Sequence, residues 1–274
     1  MCEIKKFIRH IVYLNIVVSI AIGILSAGFA FAFQVRFWIL YGIFSFFSTM
    51  AVYNGQRVFK VKGSKPTPWL VWVDKNKKHL LLLSTCCLLV ALTIFMVLPK
   101  TIITLVFLGL TGAVSILYVL EVGGITIRQV PHLKIHLIGL SWSTLVVLFP
   151  LTNHSIDIDL WFVFAVFVAH YLYVLAVTIP FDIRDLKYDA PNQKTIPQVI
   201  GVRNSQIVSL FSLVGSALTL IFTGAVDFTN SVFYFAILAQ MILVIFMNER
   251  RSDLYCAGLI DGSIALLGAS YFFN

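Results

Sequence analysis

The stretch Val177-Thr178-Ile179-Pro180-Phe181-Asp182-Ile183-Arg184-Asp185-Leu186-Lys187-Tyr188-Asp189 joins an apolar run to a cluster of acids. Upstream of it, Trp161 to Pro180 contains no Asp, Glu, Lys or Arg. A run of about 20 apolar residues is long enough to cross a bilayer as a helix. Asp182, Asp185 and Asp189 follow at i, i+3 and i+7, which places all three on one face if the helix continues. Pro180 is expected to break the helix where the acids begin. The acids then hang where the apolar slab meets water. Carboxylates converging there are costly unless a cation neutralises them, and Mg²⁺ is the usual candidate. The alternative is a solvated loop whose acids offset Arg184 and Lys187.

Working outward, hydrophobic residues are 59% of the chain and charged residues 12%, against roughly 45–50% and 25% for a soluble domain. Hydropathy predicts nine spans, at about 11–33, 37–55, 79–98, 101–120, 135–151, 160–180, 206–226, 229–247 and 254–273. Continuous apolar runs rather than ~10-residue alternating segments exclude a barrel. The expectation is an all-α polytopic bundle forming a single transmembrane domain over residues 1–274. Ala30-Phe31-Ala32 fits a signal-cleavage pattern, but the apolar run is too long for a signal core, so it reads as a true span. Cys86 and Cys87 lie inside a span and read as small buried hydrophobes.

The net charge is +8, yet its distribution argues against nucleic acid as a partner. With the N-terminus inside, 18 Lys and Arg residues fall on inner segments and only Arg36 and Lys100 outside. That asymmetry orients the chain. It predicts an integral protein of a bacterial cytoplasmic membrane, with its N-terminus cytoplasmic and its C-terminus outside. The three long connections, 53–78, 121–134 and 181–205, all lie inside. Irregular backbone at membrane depth survives around a cavity or protein interior, so a site is expected to open toward the cytoplasm.

The second span runs without a breaker into Tyr53-Asn54-Gly55-Gln56-Arg57-Val58-Phe59-Lys60. Tyr53, Arg57 and Lys60 at i, i+4 and i+7 make a cationic face with a phenol at its deep end. It is read either as interfacial anchoring or as an anion site, with Asn54 adding polarity. Beyond Pro66 and Pro68, Trp69, Val71, Trp72 and Val73 form an interfacial segment that either covers a site or anchors to the membrane. Tyr118 ends the fourth span. Arg128 and Lys134 beside the fifth suit a phosphate, through a fork of hydrogen bonds and a point charge. His132 and His136 have metal-like spacing but no third ligand nearby. Asn153-His154-Ser155 is an N-x-S sequon on an outer loop. His170, Tyr171 and Tyr173 are expected to satisfy one another or backbone. Asp261 lies about two turns inside the last span, where an acid calls for a functional hypothesis. A hydrogen-bonded or neutral carboxyl is the simpler reading.

Taken together, these residues resemble the UbiA superfamily of intramembrane prenyltransferases. That family has nine transmembrane helices and polar motifs after helices two and six. Here those places hold Tyr53-Asn54-Gly55-Gln56-Arg57 and Asp182 to Asp189. Arg184-Asp185-x-x-x-Asp189, followed by Lys194-Thr195, carries the resemblance most specifically, and Tyr118, Arg128 and Lys134 match a group after helix four. The first motif is degenerate. The family's Asn-Asp-x-x-Asp-x-x-x-Asp is represented by Asn54, with Gly55, Val58 and Lys62 in place of acids. The resemblance implies transfer of a polyprenyl group from its diphosphate to an aromatic or other lipid-destined acceptor. It implies one Mg²⁺ held by Asp182, Asp185 and Asp189, while the second site has lost its carboxylates. Arg57 would join those acids in catalysis, and Asn54, Lys60, Tyr118, Arg128 and Lys134 would bind substrate. A second class is a noncatalytic protein that binds an isoprenoid or another anionic lipid. An ion-coupled transporter is more distant, since no internal repeat is evident.

The charge asymmetry gives one test. A reporter fused after Asn274 should report the outer compartment, and a cytoplasmic signal there would mean the span count is wrong by an odd number.

Overall fold

In the computed structural model of the chain, the described residues are 2–60, 67–118, 121–122, 125–126, 130, 132–152, 159–189 and 193–274. They are overwhelmingly helical. Helices α1 (Cys2–Tyr13), α2 (Ile16–Ala32) and α3 (Trp38–Lys60) come first, followed by a short α4 (Pro68–Lys75), α5 (Lys77–Val97) and α6 (Ile102–Leu117). A two-residue antiparallel ladder pairs Glu121–Val122 with Ile125–Thr126. Then come α7 (Leu133–Leu151), α8 (Leu160–Asp185), α9 (Ile196–Phe222), α10 (Ser231–Ile245) and α11 (Tyr255–Phe273).

Five of these, α5, α7, α8, α9 and α11, are long and apolar enough to cross a membrane, or six if the bent pair α1–α2 counts as one span. The expected count of nine is therefore not confirmed. α6 and α10 are apolar but have only 16 and 15 residues. At 1.5 Å per residue they fall short of a ~30 Å hydrocarbon layer. α3 is 23 residues long, but its C-terminal end is diluted by Asn54, Gln56, Arg57 and Lys60. The first expected span also divides. Asn15 is left-handed (φ 59) and bends the chain by 56° between α1 and α2.

α2 is the axis of the bundle, packed between α3 and α11 with α7 behind it. A Cβ on Gly28 would sit 2.1 Å from the Gly268 carbonyl oxygen, and one on Gly268 2.5 Å from Leu25 Cα. α2 and α11 thus touch backbone to backbone. In lipid, where apolar surface gains little by leaving its surroundings, such close packing is a main source of helix association. The core around it holds Phe29, Tyr41, Phe149, Tyr173, Phe233 and Tyr271. α5 lies at the periphery, with only 17% of its apolar window buried. Cys86 on it is exposed and Cys87 buried, so only the second fits the expectation of a buried hydrophobe.

Several polar groups inside this bundle find partners within it. His170 pairs through Nδ1 with the Val166 carbonyl (2.9 Å) and through Nε2 with the Tyr271 hydroxyl (3.1 Å). Gln206 donates from Nε2 to the Val244, Ile245 and Met247 carbonyls (3.1, 3.0 and 2.9 Å), covering the open C-terminus of α10. Gly201, at φ 80, permits a kink inside α9 that a side chain would strain.

Pro180 does not break α8, contrary to expectation. The helix continues to Asp185. A proline at 180 removes the N–H that would bond the Ala176 carbonyl four residues back. The Ser209 hydroxyl on α9 donates to that carbonyl instead, at 2.7 Å. A neighbouring helix has replaced the missing donor, a recognised route by which proline is kept in membrane helices.

This pairing predicts a conditional cost. Ser209→Ala should destabilise the protein by about 1 kcal/mol by leaving the Ala176 carbonyl unpaired. The same change in a Pro180→Ala background, where the backbone donor returns, should cost little. Equal losses in both backgrounds, measured by thermal or detergent unfolding, would contradict the account.

Candidate active site

The polar residues gather where α2, α3, α4, α8 and α11 end on the positively charged side of the bundle. α8 delivers Asp182 and Arg184, both buried, and the half-buried Asp185. The three acids do not share a helical face throughout. The helix ends at Asp185, and Asp189 follows in a bend, its N–H donating to the Asp185 carbonyl at 2.9 Å. The first two acids turn to different cations. Lys134 Nζ at the start of α7 donates to Asp182 Oδ1. Arg184 grips its neighbour Asp185 with two parallel bonds, Nε to Oδ1 at 2.8 Å and Nη2 to Oδ2 at 3.0 Å. Such forked pairs are strong and directional.

Sequence reading missed the next carboxylate. Asp253, in the link ahead of α11, lies 3.2 Å from Arg184 Nη1 and accepts from the Tyr13 hydroxyl at 3.3 Å. The only signal for it was an acid beside Glu249, Arg250 and Arg251, a setting that also suits a solvated loop. Tyr13 in turn stacks on Trp69 of α4, with centroids 5.1 Å apart and planes within 8°.

Arg57 closes the group. Its guanidinium carbon is 3.3 Å from the centroid of the Trp69 ring, and its Nε donates to Asn15 Oδ1 at 3.3 Å. Asn15 also donates from Nδ2 to Asn54 Oδ1 at 3.0 Å, while Asn54 Nδ2 donates to the Leu14 and Met50 carbonyls. Asn54 is thus fully buried as a helix-to-helix brace. Asn15 takes its left-handed backbone in the same place that its side chain joins Arg57 to Asn54. Trp69 sits there because Thr67 caps α4, accepting from Leu70 N–H at 3.1 Å, and because Trp69 Nε1 donates to the Tyr13 carbonyl at 3.1 Å. Arg57 feels the charges of Arg184, Asp185 and Asp253. The expected first-motif cation and the acidic motif are therefore neighbours in space.

Deeper in the bundle, Tyr53 packs against Trp142, with centroids 6.1 Å apart. Asp261 follows a π-helical turn, Tyr255–Ile260, of the kind that often re-aims a residue at a functional site. Its carboxyl is buried and interacts electrostatically with Arg184, Arg57, Tyr53 and Tyr173. The Tyr173 hydroxyl is buried with no hydrogen-bond partner among the described residues. Tyr118 is within electrostatic reach of Tyr53. On the other flank, His132, Lys134, Asp182, Gln193 and Thr195 line a cleft of about 40 Å³. His136 pairs with the Tyr171 hydroxyl and not with His132. Arg128, Asn153, His154, Ser155 and the side chain of Lys60 lie outside the described residues.

Among the described residues, no group of three or more His, Cys, Asp or Glu is placed to hold a metal ion. A closed protein cage is absent from them. The hard carboxylate oxygens of Asp182, Asp185 and Asp189 nevertheless have the donor chemistry that suits Mg²⁺. That ion is usually held by one or two carboxylates, with substrate phosphates and water completing its shell.

No protein-family model matches this sequence, and no curated protein matches it either. Two solved structures do match in three dimensions. A UbiA homolog from Archaeoglobus fulgidus solved with DMAPP and Mg²⁺ aligns with a TM-score of 0.60 at 12% identity. The same description with GPP and Mg²⁺ gives 0.58 at 13% identity. Each alignment covers 97% of this chain and 96% of the other. The fold is that of the UbiA homologs. Its UbiA-like bundle brings together the two stretches that the sequence resemblance singled out, since Arg57 and Asp185 interact across it.

The Lys134–Asp182 pair makes a stability prediction. Asp182 is 2% exposed, so Lys134→Ala should leave a buried, unpaired carboxylate and cost about 3 kcal/mol. The double variant Lys134→Met/Asp182→Leu should recover most of that loss. A single variant as stable as wild type in thermal unfolding would mean the pair is solvated.

Proposed function

We propose that this protein is a prenyltransferase that binds an allylic prenyl diphosphate with Mg²⁺ at its inner face and passes the prenyl group to an aromatic or other lipid-destined acceptor within the membrane. The observation that carries this reading is the convergence of Asp185, Arg184 and Arg57 in a UbiA fold. The solved structures of that fold, bound to DMAPP or GPP with Mg²⁺, support a prenyl diphosphate as the ligand class. We further propose that the bundle spans the membrane nine times with its N-terminus inside, which the basic inner segments support.

In this reading Asp182, Asp185 and Asp189 are the carboxylates toward Mg²⁺, which when bound would neutralise negative charge on the diphosphate. Arg184 and Arg57 face the phosphate oxygens, and Lys134 adds a point charge beside Asp182. Asn54 acts indirectly, by holding Asn15 against Arg57. Lys60, Tyr118 and Arg128 remain candidates for substrate contact. The allylic C–O bond breaks with its electron pair leaving on the diphosphate. A bond forms between that carbon and the acceptor, which releases a proton. Cationic side chains stabilise the leaving group through charge-assisted hydrogen bonds. The apolar helices hold the prenyl tail and keep water from the allylic cation.

The test is titration of geranyl diphosphate into the purified protein with and without Mg²⁺, with pyrophosphate release assayed alongside. Asp185→Asn should weaken Mg²⁺-dependent binding by about tenfold to a hundredfold. Arg57→Ala should weaken it strongly and Arg57→Lys less, because an ammonium cannot reproduce the guanidinium fork or its stacking on Trp69. Binding by Arg57→Ala as tight as wild type would remove the clamp. Tight binding without pyrophosphate release across an acceptor panel would instead favour a noncatalytic isoprenoid-binding role.

A further inference from the structure

Arg184 and Asp185 are adjacent in sequence, so their forked pair fixes each side chain relative to the other. It does not fix the pair relative to the rest of the site. A third point from a different segment is needed, and Asp253 supplies it. The guanidinium uses its Nε–Nη2 edge for Asp185. Its remaining amine, Nη1, is 3.2 Å from Asp253 Oδ1. The other oxygen of Asp253 accepts from Tyr13 at 3.3 Å, and Tyr13 stacks on the Trp69 ring that carries Arg57. A closed circuit of contacts thus runs from Asp185 through Arg184, Asp253, Tyr13 and Trp69 to Arg57. Asp253 and Asp185 both act on Arg57 as well.

The stretch at Gly55, Val58 and Lys62 contributes no carboxylate to this face. Asp253 brings one from the far end of the chain. We infer that Asp253 is a positioning residue of the diphosphate site: it holds Arg184 at Nη1, fixes the plane of the guanidinium and thereby aims the Asp185 carboxylate, in place of the ordering that first-motif acids would give. The inference rests on the prenyl-diphosphate reading above. An ion pair with only a structural role would add stability and leave the Mg²⁺ requirement unchanged.

The experiment titrates geranyl diphosphate into purified full-length wild type, Asp253→Asn, Asp253→Glu and Tyr13→Phe over a series of Mg²⁺ concentrations, with thermal unfolding of each. Asp253→Asn should need about tenfold more Mg²⁺ for half-maximal binding, the loss expected for one partly buried ion pair. Asp253→Glu should recover most of the difference, and Tyr13→Phe should shift the requirement the same way by a smaller factor. Reduced thermal stability with a wild-type Mg²⁺ requirement in Asp253→Asn overturns the inference while leaving the diphosphate reading intact. Should Asp253→Asn not fold, an unchanged requirement in Tyr13→Phe overturns it equally. Wild type that binds no geranyl diphosphate at any Mg²⁺ concentration refutes the diphosphate reading, and this inference with it.

Discussion

Arg184 is only 9% exposed at the end of a 26-residue helix, and a guanidinium buried there must be met by acids. A lone charge in such a place costs several kcal/mol even after relaxation. Asp185 and Asp253 meet it, and the consequences spread outward. The link before α11 is tied to the end of α8, Tyr13 is drawn to Asp253, and α4 is drawn to Tyr13 through Trp69. The positions of α1 and α4 over the polar end of the bundle are tied in this way to the neutralisation of one side chain.

The same demand for partners explains the irregular backbone. Pro180 survives in α8 because Ser209 pays the missing hydrogen bond to Ala176. Asn15 abandons helical geometry, and its amide then bridges Arg57 and Asn54. The π-helical turn before Asp261 shifts the last helix where its carboxyl enters the field of Arg184 and Arg57. These three departures from regular structure lie at or near the polar end of the bundle, whereas the π-helical turn Thr144–Leu148 in α7 and the left-handed Gln34, Phe37 and Gly224 lie away from it. At the polar end, irregular backbone accompanies polar side chains that need particular directions.

How much was legible beforehand follows from which interactions are local. The apolar runs of α5, α8 and α9 could be read directly, because a membrane helix declares itself by composition over one continuous stretch. The continuation of the second span to Lys60 was equally visible, since nothing between Tyr53 and Lys60 breaks a helix. Pro180 misled for the complementary reason: the donor that rescues α8 lies on another helix, out of reach of any reading of residues 176–185. The partners of Asp182, Asp185 and Arg57 were hidden likewise. Lys134, Asp253 and Trp69 are separated from them by 48, 68 and 12 positions respectively along the sequence. Periodicity placed three acids on one face, but it could not show that α8 ends at Asp185 or that Asp182 turns to Lys134. Asp253 was the largest omission, an acid in a charged link that gains meaning only when the two ends of the chain meet.

Charge balance gives the site its remaining logic. The cations Arg57, Arg184 and Lys134 stand beside the acids Asp182, Asp185, Asp253 and Asp261. Each strong positive group is already committed, Arg57 to an aromatic face and an amide, Arg184 to two carboxylates and Lys134 to one. A diphosphate entering alone would bring several negative charges into a region with no surplus of positive charge among the described residues, and low local dielectric would magnify the repulsion from the acids. A diphosphate entering with a divalent cation meets a different field. The carboxylates become favourable partners for the cation, and Arg184, loosened from them, becomes available to phosphate oxygens. In the prenyl-diphosphate reading proposed above, the absence of carboxylates at Gly55, Val58 and Lys62 therefore leaves the need for a metal in place. Two of the carboxylates offered to that metal are already committed, Asp182 to Lys134 and Asp185 to Arg184, so binding metal and freeing these cations become two sides of one exchange.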